Sequence, residues 1–214
     1  MSFLVPVDLS APSHAAIELA VLVGRATGEE AVVLHVTEGT PSLDLLADLY
    51  EVTWPLRHAG VRARLRTLQG DPAKIIQTEA SRRHCRWVVM GTRGHLDQAG
   101  STAAAVMRAC TVPTLAMRPG TEGRQEISRI SLWARPRSQA PQAWDIASLL
   151  GNLLNSPVDM QGAVCGPARR GPCSADALLV LDMHNLPPTG LGCTLEAERC
   201  RVVLVAPPKP GSVQ

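Results

Sequence analysis

Over its first hundred and twenty residues the chain alternates short β-branched runs with longer stretches whose apolar residues recur at helical spacing. This is the sequence form of βαβ units and restricts the fold to a parallel sheet with helices on its faces. FLVPV (3–7) reads as a buried strand, followed at 11–28 by a helix with an early proline and Gly24 and Gly28 at its close. AVVLHV (31–36) is the second strand. Residues 42–58 carry leucines at helical spacing, with Pro55 expected to kink or stop that helix near its end. In VRARLRTL (61–68), Arg62, Arg64 and Arg66 alternate with apolar residues, leaving one wet face, as suits an edge strand. Asp71 and Pro72 start the next helix. RWVVM (86–90) is the fourth strand, 101–110 a helix and PTLAM (113–117) the fifth strand. The expected class is α/β, a mainly parallel five-stranded sheet, doubly wound if its order is 3-2-1-4-5.

After residue 126 the pattern starts again in reduced form. Residues 129–164 can be laid beside 3–36 as strand, Ser-Pro-type turn, amphipathic helix and strand. A Gly/Pro/Cys-rich connection then leads to ALLVLDM (177–183) and RCRVVLVAPP (199–208), which resemble the fourth and fifth strands. The expected organisation is a first domain over 1–122 and a truncated second copy over 123–214.

Composition excludes several classes of function. Twenty-one Lys+Arg against nineteen Asp+Glu, with no run of like charge, nominate neither nucleic acid nor a membrane surface as partner. Asp8 leaves no room for a signal-peptide core and no uncharged run of eighteen apolar residues occurs, so a cytoplasmic protein is expected. Six cysteines, none in a C-x-x-C pair, read as free thiols, and no metal site is expected. No G-x-S-x-G elbow, Walker A sequence or H-E-x-x-H is present, and the histidines form no spaced pair with carboxylates. No catalytic residue is nominated. His35, in a buried strand, reads as a hydrogen-bonded core residue.

In open parallel sheets, ligands bind beyond the carboxyl ends of the strands, where the winding direction switches. For the order 3-2-1-4-5 that point lies between strands one and four, where Asp8 faces the stretch VMGTRGHLDQAGST (89–102). A carboxylate able to accept from ribose hydroxyls thus stands opposite a glycine loop entering a helix N-terminus, which favours anions. Each piece alone has a plainer reading: Asp8 as a turn residue, Gly91, Gly94 and Gly100 as turn glycines, Ser101 as an ordinary cap.

VVMGTRG, then GS, a helix and TVPTLAMRP resemble the end of a universal stress protein domain, whose pattern G-x2-G-x9-G-[ST] precedes a helix and a strand. LVPVDLS, LHV and GDPAKII resemble the same family, well over 1–120 and loosely over 125–214. The resemblance implies a stress-response protein of bacterial type, with ATP or another adenine nucleotide, and Mg2+ as accompanying ion, as cofactor and at most slow ATP hydrolysis. By position, Pro6, Val7 and Asp8 match the adenosine-binding turn, and Val36 the adenine contact on strand two. Met90 and Gly91 match the start of the loop, and Gly94, Gly100, Ser101 and Thr102 the phosphate cradle, with Arg93 placed to pair with phosphate. Five residues separate Gly94 from Gly100 where the family's ATP pattern has nine. Four fewer residues shorten the arm by up to about 13 Å of contour.

In the second unit Arg135 stands where Asp8 does and Leu181-Asp182 where Met90-Gly91 does, leaving Gly190 and Gly192 as remnants of the loop. That half is expected to bind no nucleotide. The resemblance implies pairing of the two halves through PTLAM and VVLVA, an internal pseudo-dimer that covers a sheet edge. A homodimer and an unidentified protein partner remain compatible with the sequence. The competing readings are a scaffold of the same fold that binds partners rather than nucleotide, and a Rossmann-like enzyme domain, for which no catalytic candidate exists.

Overall fold

The computed structural model describes residues 1–92, 102–118, 128–134, 136–160, 177–182 and 201–206. The strands are β1 (Ser2–Pro6), β2 (Glu30–Thr37), β3 (Ala63–Gln69), β4 (Val88–Gly91), β5 (Thr114–Arg118), β6 (Arg129–Trp133), β7 (Val158–Met160), β8 (Ala177–Asp182) and β9 (Arg201–Ala206). The helices are α1 (Ala11–Thr27), α2 (Leu43–His58), α3 (Pro72–Arg82), α4 (Thr102–Ala109) and α5 (Pro141–Leu154). The described strands form one sheet in the order β3-β2-β1-β4-β5-β9-β8-β6-β7. Its first five strands are parallel and have the expected order 3-2-1-4-5, with β3 at the edge. β5 pairs antiparallel with β9, from Thr114↔Ala206 to Arg118↔Val202, and the remaining pairings are parallel.

Alternation along the central strands sends successive side chains into two cores. Phe3 and Val5 point with Val33, Val89 and Leu115 toward α1 and α2, while Leu4, Val32, Leu34, Val88 and Ala116 point toward α3 and α4. Coverage on both faces explains the near-continuous apolar runs of β1, β2 and β4. The first core runs past β5 into the second half without a break: Ile130, Leu132, Ile146, Leu150, Leu178 and Val180 belong to the same cluster, and α5 lies against α1.

Helix boundaries follow local chemistry. α1 ends at Gly28, whose φ of 68° is left-handed and whose N–H bonds the Gly24 carbonyl. Ser42 and Asp71 cap α2 and α3, accepting from the N–H groups of Leu45 at 3.1 Å and Lys74 at 2.9 Å. Pro55 does not stop α2, which continues to His58, with the Ala59 N–H closing on the Pro55 carbonyl at 3.1 Å. The fourth strand runs one residue further than its apolar run, because Gly91 pairs with Met117.

Candidate functional site

β1 and β4 end side by side at the point where the sheet's winding direction switches, and a cleft of about 370 Å³ opens there. That volume lies within the range of small-molecule sites. The end of β1 contributes Pro6, Val7 and Asp8, β2 contributes Leu34 and Val36, and the end of β4 contributes Met90, Gly91 and Thr92. Three helix starts close the rim: Ser10, Pro12 and Ser13 at α1, Pro72 and Ile76 on α3, and Thr102 and Ala103 on α4. Of the residues nominated from sequence, Pro6, Val7, Asp8, Val36, Met90, Gly91 and Thr102 thus line one cleft. Arg93, Gly94, Gly100 and Ser101 lie outside the described residues.

Asp8 is the only charged side chain among the described lining residues. Its Oδ1 accepts from the Ser10 hydroxyl at 2.5 Å, the Ser13 hydroxyl at 2.6 Å and the Ser10 N–H at 3.1 Å, and none of these bonds uses Oδ2. Partial burial pushes the carboxyl pKa up. The Ser10 and Ser13 hydroxyls, followed by backbone N–H groups, pull it down further, so the group lies below its ordinary value. The carboxylate ties Ser10 and Ser13 to the end of β1, while no side chain caps the first turn of α1, Ser10 included.

The backbone at the end of β1 is already committed as donor. The Val7 N–H bonds the Leu34 carbonyl at 2.9 Å, and the Asp8 N–H bonds the Ser13 hydroxyl oxygen at 2.9 Å. The Val7 carbonyl lies 2.9 Å from Nδ1 of buried His35, and a carbonyl can only accept, so Nδ1 carries the proton. What this turn retains for a ligand is acceptor capacity: the second lone pair of the Val7 carbonyl and Asp8 Oδ2. α4 also starts at the rim, and its first turn contains no acidic residue, so its positive end is not neutralised from within that turn. Leu34, Val36, Ile76, Met90 and Ala103 supply the apolar part of the lining.

Gly91 has a stricter reason to be glycine than loop freedom. A Cβ built on it would stand 1.8 Å from the Pro12 carbonyl oxygen, a backbone atom at the start of α1. The residue is the last of β4, and its missing side chain lets α1 begin directly over the strand end. Thr92, buried beside it, donates its N–H to the Met117 carbonyl at 2.9 Å.

The model of the universal stress protein family matches residues 1–118. The chain belongs to that family. A universal stress protein from Archaeoglobus fulgidus aligns with 100% of this chain and 97% of its own, at 16% identity and a TM-score of 0.64. A functionally unknown protein from Pseudomonas aeruginosa aligns with 97% of this chain and 92% of its own, at 13% identity and a TM-score of 0.63. A universal stress protein family protein from Arabidopsis thaliana, solved with AMP bound, covers 58% of this chain and 96% of its own, at 18% identity and a TM-score of 0.46. No curated protein matches the sequence.

Within this universal stress protein fold, the lining residues not anticipated from sequence are Ser10, Pro12, Ser13, Leu34, Pro72, Ile76, Thr92 and Ala103. The spacing Asp8-x-Ser10-x-x-Ser13 was the available signal for the serines, because a carboxylate before a helix reaches hydroxyls two and five residues on. At the corresponding place in the second half, β8 ends at Asp182, paired with Val205 as Gly91 is with Met117. Arg135 lies outside the described residues. No group of three or more His, Cys, Asp or Glu able to hold a metal ion occurs among the described residues. Among them, no helix is long and apolar enough to cross a membrane.

Proposed function

We propose that the cleft binds an adenine nucleotide, ATP or a close relative accompanied by Mg2+, in a cytoplasmic stress-response protein. The carrying observation is the polarity of the cleft: acceptors at the β1 end, apolar lining residues, and the N-terminus of α4 with no acidic residue in its first turn. A ligand complementary to it carries amino or hydroxyl donors at one end, a flat apolar body and an anionic group at the other. Val7 and Asp8 Oδ2 accept from the base and sugar, Val36 and Met90 hold the ring, and the α4 start at Thr102 faces the phosphates. Arg93, Gly94, Gly100 and Ser101 are assigned by sequence to that same phosphate end.

On this reading residues 1–122 form the nucleotide-binding domain. Residues 123–214 form a truncated copy that binds none and covers the β5 edge with β9. Denaturing freshly purified protein should release an adenine nucleotide identifiable by mass, and millimolar Mg-ATP or AMP should raise the melting temperature. Asp8→Ala should weaken the ligand about tenfold, the loss of roughly one charge-assisted hydrogen bond. Absence of both released nucleotide and thermal shift would overturn the proposal. A second reading, a scaffold that binds only protein partners, is favoured by the engagement of Asp8 Oδ1 with Ser10 and Ser13, which gives the carboxylate a structural task. Under it Asp8→Ala leaves partner binding unchanged.

A further inference from the structure

α2 carries two apolar stripes. The inner one, Leu49, Thr53 and Leu56, is buried against the first core. The outer one repeats at steps of four, three and four residues: Leu43, Ala47, Tyr50 and Trp54, with His58 one turn on. Leu43 is 85% exposed, Tyr50 52% and Trp54 60%, in a chain with one tyrosine and four tryptophans. The rings are already ordered. Trp54 stacks on His58 with centroids 6.0 Å apart, while Arg57 lies over the Tyr50 ring at 4.3 Å and donates to its hydroxyl. Apolar residues spaced three and four apart on a solvent-facing helix form the seam of a helix pair.

We infer that this stripe is a self-association surface, on which α2 of a second copy of the chain lies antiparallel across a two-fold axis. The pattern is self-complementary in that orientation alone. With the axis between Asp48 and Leu49, Leu43 stands opposite Trp54 of the partner subunit and Ala47 opposite Tyr50 of the partner subunit, small against large in both layers. Charge agrees, because Asp44, Asp48 and Glu51 occupy the first part of the helix and Arg57 and His58 its end. Antiparallel pairing carries each basic end toward the partner's acidic half and opposes the helix dipoles. A parallel pair sets acid against acid and Trp54 against Trp54. The β5 edge, a route for sheet-to-sheet association, is occupied by β9 of the same chain.

The interface is small. Sixteen residues span about 24 Å of helix, so the buried area falls short of the roughly 800 Å² per partner of a standard stable complex. The dimer is therefore weak and reversible. Sedimentation equilibrium of the full chain should show monomer at low micromolar concentration and dimer growing toward about 1 mM. Ala47→Arg and Trp54→Ala should each weaken association at least tenfold. Both positions are exposed, so an unchanged melting temperature and circular dichroism would show an intact fold. A wild-type chain that stays monomeric throughout overturns the inference, and so does a dimer that both variants leave untouched.

Discussion

The β1–α1–β2 unit and the β6–α5–β7 unit share one plan as far as the point where a ligand would sit. Each helix has proline in its first turn, Pro12 or Pro141, and each ends on a left-handed residue, Gly28 at φ 68° or Asn155 at φ 49°. In each the capping N–H returns to a glycine carbonyl four residues earlier, Gly24 or Gly151. A Cβ on either glycine would meet a valine methyl, Val61 at 2.5 Å or Val158 at 2.6 Å. The beginnings differ. Neither N-cap makes a side-chain capping bond, but Ser10 and Ser13 at the start of α1 are bonded to the Asp8 carboxylate, whereas the N-cap of α5 is Ala140, which has no polar side chain. Among the described residues the packing devices are present in both units, and the carboxylate–serine cluster of Asp8, Ser10 and Ser13 is found in the first.

The sharpest break in the comparison is Gly91→Ala. Its new Cβ would require the Pro12 carbonyl, and with it the start of α1, to retreat. Small-to-large changes in well-packed positions cost about 1–3 kcal/mol and occasionally more. Here the obstacle is backbone, so a loss of about 3 kcal/mol or more in urea unfolding is expected. A variant as stable as wild type would show that α1 does not approach β4 so closely.

The two helix glycines sharpen the comparison. Alanine removes about 1 kcal/mol of helix-propensity penalty at either site. Against this, Gly24→Ala drives into Val61, which is 5% exposed and enclosed, whereas Val158 beside Gly151 is 36% exposed and has room to turn. Gly24→Ala should therefore lose up to about 2 kcal/mol net, and Gly151→Ala less, its remaining tight contact being the Ser156 carbonyl oxygen at 3.2 Å. Equal losses in matched denaturation curves would mean that both contacts are equally rigid.

Much of this fold was legible from its punctuation. Apolar runs separated by helical stretches pointed to a parallel α/β sheet, the family resemblance supplied the doubly wound five-stranded form that the order 3-2-1-4-5 bears out, and the arginines of β3 marked it as an edge. Asp8 was singled out because ligands gather at the carboxyl ends of strands, Val36 and Met90 by the family resemblance, and all three line the cleft. Gly91 was legible as important but not for its reason, since the approach of the Pro12 carbonyl is a tertiary contact between elements eighty residues apart. Ser10 and Ser13 were not singled out from sequence, because a hydroxyl's partner is chosen by the folded geometry around Asp8. Pro55 was expected to kink or stop α2 near its end, yet the helix continues to His58, with Leu49, Thr53 and Leu56 buried on either side of the proline.

The smallest expected effect is the pH response of Asp8, and it is specific to the first unit. Burial opposes its ionisation, but the Ser10 and Ser13 hydroxyls bond the charged form more strongly, so its folded-state pKa lies below the ordinary value of about 3.9. A group with a depressed folded pKa stabilises the protein above its unfolded pKa, and that stability is lost as pH falls through the folded value. Asp8→Asn should therefore cost stability at neutral pH, with the gap to wild type closing below about pH 4. The side chain is exposed, and screening keeps the effect under about 1 kcal/mol. Unfolding curves for both proteins at pH 7 and pH 3 measure the gap directly. A gap constant with pH would show that Ser10 and Ser13 hold the Asp8 side chain without regard to its charge, and would remove the electrostatic distinction between the starts of α1 and α5.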